Sequence, residues 1–172
     1  MALRAPLAAT AIVASLLFAE SAALAADPAS LGRFRDWEAF EAIEQGHKVC
    51  YALTSPQDSQ GAYTKRDPAL IMVTRRPNEN VYDEVSAIAG YTYQPKSTPV
   101  LQVGSRKFSA DPVADVAWPR LRETPALVAA MKAGSTLLLV GTSARGTLTK
   151  DQFSLLGFTA AMKAIAQSCP KR

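Results

Sequence analysis

From Gly46 onward the apolar residues fall in short runs separated by Pro, Gly and polar clusters, which is the pattern of a β-rich chain. Lys48–Thr54 predicts a strand with Val49, Tyr51 and Leu53 on one face and Cys50 and Ala52 on the other. Both faces are apolar or small, which predicts burial on both sides. Ser55–Pro68 contains Pro56, Asp58, Gly61 and Pro68 and predicts a loop. Ala69–Thr74 is a compact apolar run suited to a buried strand, broken by Arg75-Arg76-Pro77-Asn78. Val81–Ala89 resumes the strand pattern, and Gly90–Thr98 reads as a loop. Val100–Val103 and Arg106–Ser109 flank Gly104-Ser105, a spacing that predicts a hairpin.

Two helices interrupt this pattern. Thr124 is placed to cap a helix whose next residue, Pro125, sits where a missing N–H costs nothing. Ala126–Ala133 favours helix, and Gly134 is a natural stop. Ser135–Thr142 is then a strongly apolar strand, Ser143–Gly146 a turn and Thr147–Leu155 the return strand. Gly157–Ser168 predicts a closing helix with Phe158, Met162 and Ile165 on its inner face. Arg33–Glu44 carries Phe34, Trp37, Phe40 and Ile43 at three-residue intervals and fits either an amphipathic helix or an irregular strand. Short connections favour antiparallel pairing. The fold expected is mainly β: an antiparallel β-sandwich or half-barrel with one inserted helix and a short C-terminal helix.

The N-terminus breaks with this pattern. Met1–Arg4 is positively charged, Ala5–Ala19 is uncharged and apolar, and Ala23-Leu24-Ala25 places small residues at a cleavage site. Residues 1–25 are therefore expected to be a cleavable secretory signal. The run is shorter than the roughly 20 apolar residues of a membrane span, and no later run is long enough for one. Residues 26–33 read as a flexible leader and 34–172 as a single β-rich domain. The product is expected to be periplasmic or secreted. Net charge is +4, and Arg4 and Glu20 cancel within the signal, so cleavage leaves it unchanged. A mildly basic balance suits solubility and anionic surfaces. No basic stripe or fold signature of a nucleic-acid binder is present.

The chain has two cysteines, Cys50 and Cys169. In an exported protein an even count points to an intramolecular disulfide. Two buried thiols or an intermolecular bridge are the alternatives.

Several segments together resemble the invasion-associated locus B family of bacterial exported proteins. They are Asp36-Trp37, Lys48–Ala52, Glu84-Val85-Ser86 with Ala89-Gly90-Tyr91, and Ala117-Trp118. Gly141–Thr147, Asp151–Leu155, Gly157–Ala161 and Cys169 complete the set, and the resemblance spans about residues 34–169. Some family members carry a further Cys soon after the Trp; this chain has none there, which excludes a second disulfide. The resemblance implies export and an association with host-cell invasion, with no enzymatic reaction attached to the family. Family membership alone does not fix function.

The residues agree with a non-enzymatic role. His47 is the single histidine and opens a strand, and no G-x-S-x-G elbow supplies a nucleophile. Zinc needs three or four ligands, which one His and two paired Cys cannot supply. No glycine-rich phosphate loop occurs, and Asp83, Glu84, Asp111 and Asp115 lack calcium-loop spacing. No catalytic residue, metal or cofactor is expected. The candidate binding patch is basic: Lys65, Arg66, Arg75, Arg76, Arg106, Lys107, Arg145 and Lys150 lie in or beside proposed loops and turns. Gathered at one end of the fold, they would meet an acidic protein, a glycan or an anionic lipid. A periplasmic enzyme or small-ligand carrier with a pocket under the Ala126–Ala133 helix, and a structural envelope factor, are the other readings.

Overall fold

The computed structural model describes residues 27–171, so the expected signal at 1–25 lies outside the described residues. Eleven strands and two helices follow one another along the chain. They are β1 (Ala29–Phe34), β2 (Trp37–Glu44), β3 (His47–Thr54), β4 (Asp58–Gly61), β5 (Leu70–Arg76), β6 (Val81–Ile88), β7 (Val100–Val103), β8 (Arg106–Val113) and β9 (Val116–Pro119). After these come α1 (Thr124–Ala133), β10 (Thr136–Thr142), β11 (Leu148–Ser154) and α2 (Phe158–Ser168). All pairings are antiparallel, in the order β1-β2-β3-β5-β6-β9-β8-β7-β10-β11-β4. The mainly β antiparallel fold with one inserted and one C-terminal helix is therefore as expected.

The open sheet curls until its distant strands touch. The Trp37 indole N–H donates to the Ser154 carbonyl at 2.9 Å, joining β2 to β11. The Gln57 N–H reaches the Gln152 carbonyl at 2.7 Å, just before β4 pairs with β11. β8 turns the corner by serving two neighbours: Arg106–Ser109 pair with β7, and Ala110–Val113 pair with β9. Pro112 falls in the second half, where β7 no longer needs an N–H from it.

Both helices feed the core enclosed by this curl. α2 presents Phe158, Ala161, Met162 and Ile165 inward, and the Phe158 ring packs 4.8 Å from that of Trp37. α1 contributes Leu127, Val128, Ala130 and Met131. Those side chains fill the space where a pocket under α1 was expected. The Cys50–Cys169 disulfide is formed, with a Cα–Cα distance of 6.0 Å, and both cysteines are fully buried. It ties the end of α2 to β3, one residue past the helix.

Several local expectations change. Residues 29–33, expected within a flexible leader, instead belong to β1, hydrogen-bonded to β2. Arg33–Glu44 resolves as strand, turn and strand, because Trp37 and Ala39 alternate inward with period two. The expected loop 55–68 contains β4, a polar edge strand held by β11. Arg75 and Arg76 do not break β5: they continue it, each neutralised by an acid from or beside β6. Thr124 is the first helical residue rather than the cap, and Glu123 precedes it. The β3 face carrying Tyr51 and Leu53 is half-exposed, since α2 packs against the other face.

One surface cluster beside the disulfide is sensitive to pH. Ser168 donates to Glu41 and Lys48 Nζ lies 2.9 Å from the same carboxylate, linking α2 to β2 and β3. The Ser168 hydrogen bond, then that of Lys48, holds the Glu41 carboxyl below its ordinary value. A depressed folded-state value means stabilisation present above the unfolded value of about 4.3 and lost as pH falls through the folded one. Unfolding midpoints measured below pH 5 are therefore expected to fall less steeply in Glu41→Gln than in the parent protein. Parallel acid limbs would rule this out.

Candidate binding cleft

The eight basic residues do not converge. β5 runs away from its start near Asp67, so Arg75 and Arg76 lie at its far end, where both are neutralised. Arg75 Nε donates to Asp83 at 2.7 Å and its Nη1 to the Cys169 carbonyl at 3.2 Å. Arg76 pairs with Glu84 and with Glu79 at 3.2 Å, beside a small hollow of about 260 Å3 that His47 also borders. Arg106 and Lys107 sit at the β7–β8 turn, and the β7–β10 register places that turn opposite the β10–β11 turn. Lys150 is exposed on β11, between Val140 and Gln60.

Three of the eight do meet. Lys65, Arg66 and Arg145 line a cleft of about 620 Å3 between segment 62–67 and the β10–β11 turn. Lys65 and Arg145 are exposed. Arg66 is different: its guanidinium is bidentate to Asp151, with Nη1 3.0 Å from Oδ2 and Nη2 bonded to Oδ1. The same Nη2 donates to Ser59 Oγ at 2.9 Å, and the guanidinium stacks 4.8 Å from the Tyr63 ring. The Arg66 side chain is 9% exposed and that of Asp151 0%. Burial opposes the Arg66 charge, but the hydrogen bonds and charge of Asp151 more than offset it, so the guanidinium sits above its ordinary value. Arg66 therefore anchors one wall, while Lys65 and Arg145 carry the outward-facing charge.

The floor is rigid for reasons that can be named. Tyr91 and Thr149 share a hydrogen bond of 2.7 Å between their hydroxyls. Tyr91 meets Tyr93 edge-on at 5.3 Å, and a side chain at Gly141 would approach both rings to 2.7 Å. Gly90, at φ +70°, lets Asp67 approach so closely that a Cβ there would lie 1.9 Å from its carbonyl oxygen. The Asp67 N–H returns a bond to the Gly90 carbonyl at 3.0 Å, pinning the 62–67 wall. Burial first, then the Asp151 charge, raises the Tyr91 phenol above its ordinary value, against the pull of Thr149 and Arg66. The hydroxyl accordingly stays protonated and able to donate at neutral pH.

Among the described residues no cluster of three or more His, Cys, Asp or Glu is placed to hold a metal ion. Asp83 and Glu84 are paired with arginines, Asp111 lies 3.7 Å from Arg120, and Asp115 is exposed elsewhere. No helix among the described residues is long and apolar enough to cross a membrane. Sequence reading missed Tyr63 and Tyr91 on the cleft lining and the buried Asp151 that holds Arg66 in its wall. Asp151 alone left a signal: it shares the inward face of β11 with Thr149 and Phe153, an acid where the alternation calls for an apolar residue.

The family model described as Invasion associated locus B (IalB) protein matches residues 37–166. A crystal structure of invasion associated protein B from Bartonella henselae superimposes with a TM-score of 0.54 at 18% identity. The match covers 80% of this chain and 95% of that one, and shows a shared fold. No curated protein matches the chain.

Proposed function

We propose, because the chain belongs to the invasion-associated locus B family, that it is a non-enzymatic binding protein. It works outside the cytoplasm, periplasmic or secreted, and holds an anionic partner between Lys65 and Arg145. The observation that carries this reading is the arrangement of the cations. Arg66, Arg75 and Arg76 are neutralised within the chain. Lys65 and Arg145 form no ion pair among the described residues and both line a concave surface whose floor is held by the Tyr91–Thr149 bond. Fixed walls reduce the ordering cost of binding, and unpaired charge favours encounter with an anionic partner. The buried disulfide fits an oxidising compartment. The association with invasion in the family's description supplies the biological setting of that binding.

Capture from envelope extract by the oxidised protein tests this. Lys65→Glu with Arg145→Glu is expected to abolish saturable capture, with the unfolding midpoint little changed because both side chains are exposed. Arg106→Gln with Lys107→Gln, at the opposite end, is expected to retain it. Equal capture by both double variants would remove the cleft from the function.

A further inference from the structure

The polar chemistry of the cleft is more specific than a positive charge. Its lining has no aliphatic side chain larger than alanine, which leaves an acyl chain or an apolar peptide side chain little aliphatic surface to pack against. Hydroxyls line it instead, from Thr64, Thr92 and Thr147 and the phenols of Tyr63 and Tyr91, while Ser143 and Thr149 are buried at its floor, the latter bonded to the Tyr91 hydroxyl. A hydroxyl offers one donor and two acceptor positions. The Tyr91–Thr149 bond therefore leaves one donor and several acceptors of that pair unused. Tyr63, backed by the Arg66 guanidinium, presents an aromatic ring at the wall. The two unpaired cations stand on opposite walls, and Asp67 is the single carboxylate on the lining.

Alternating donors and acceptors, a flat ring and a cation at each side match a polyhydroxylated ligand that carries carboxylates. A volume of about 620 Å3 lies within the ~300–1,000 Å3 of small-ligand clefts. The recess also separates this ligand from a flat lipid surface, which would touch only the rims.

We infer that the cleft between residues 62–67 and 143–149 binds an acidic saccharide, with Lys65 and Arg145 on its carboxylates and the Tyr91 hydroxyl, oriented by Thr149, on its hydroxyls. This assignment rests on the cleft being the partner site.

The probe is trigalacturonate, titrated into the oxidised protein and followed by NMR shifts at residues 62–67, 90–92 and 143–149. Saturable shifts are expected, with affinity at least ~10-fold weaker in Lys65→Ala/Arg145→Ala, since hydrogen bonds to charged groups are the stronger ones. Maltotriose, neutral but equally hydroxylated, and inorganic phosphate, charged but without a sugar ring, are each expected to bind at least ~10-fold more weakly than trigalacturonate. Thr149→Val is expected to weaken trigalacturonate while leaving phosphate unaffected. Phosphate binding as tightly as trigalacturonate would reduce the cleft to a plain anion site and overturn the saccharide. Binding to phosphatidylglycerol vesicles that needs Lys65 and Arg145, without binding of trigalacturonate, would transfer the assignment to a lipid headgroup. Should trigalacturonate fail while capture from envelope extract still requires the two cations, the saccharide falls and the binding role stands. Failure of both removes both.

Discussion

Asp151→Ala is expected to cost about 3–5 kcal/mol of folding stability, the range for removing one partner of a buried ion pair. The side chain is completely buried, and without it the Arg66 guanidinium keeps only Ser59 and the Tyr63 ring. A long, charged side chain at 9% exposure must then either remain unpaired or leave its site. Leaving would pull segment 62–67 away from β11, because Arg66 is the link between them. The complementary change, Asp151→Leu with Arg66→Met, is expected to recover much of the loss, since an apolar pair of similar volume avoids desolvating two charges. Urea unfolding of the two single variants and the pair gives the coupling directly. A loss below about 1 kcal/mol for Asp151→Ala would mean that the pair is not buried in solution. The double variant also separates stability from binding: it restores the wall without restoring its polarity.

Removing the disulfide by Cys50→Ala and Cys169→Ala is expected to cost about 4–5 kcal/mol. The bridge spans a sequence separation of 119 residues, and closing a loop of that size removes this much chain entropy from the unfolded state. The same model says where to look for the effect. The unfolded variant is less compact, so its denaturant slope should rise as its midpoint falls. Both cysteines are at 0% exposure, so a reductant should open the parent bridge at the rate of unfolding and not before. A variant within about 1 kcal/mol of the parent, with an unchanged slope, would place the stabilisation elsewhere.

Strands with an apolar face were legible from the chain alone. β3, β5 and β10 each present two or more inward apolar or small residues with period two, and the Gly104-Ser105 turn closes its hairpin as read. The Pro125 and Gly134 punctuation located α1 within one residue of its start. The strands missed were those whose order comes from a partner. β4 is Asp-Ser-Gln-Gly, a sequence with no strand preference, and it exists because β11 offers it a free edge. β9 is four residues long and pairs on one side with the second half of β8, which the sequence reading ended at Ser109. Arg75 and Arg76 looked like a stop because charge usually marks a loop; their acids lie eight residues away, across a turn. For the site, charge was legible and its disposal was not. Arg66 and Asp151 are 85 residues apart, and no local pattern distinguishes a neutralised arginine from a free one. The disulfide could be read because only two cysteines exist to be paired.

The covalent bridge also decides how the molecule bears force. Tension applied between the segment before Cys50 and the segment after Cys169 passes through β1, β2 and the beginning of β3, then directly across the sulfur–sulfur bond. Everything from residue 51 to residue 168 is short-circuited. Under load the β1–β2 hairpin would peel first, because its strands lie at the edge of the sheet. The cleft, built wholly from residues 62–67, 90–92 and 143–149, would stay slack and keep its shape. A protein pulled between its two chain ends would therefore keep its cleft intact while its first hairpin yields.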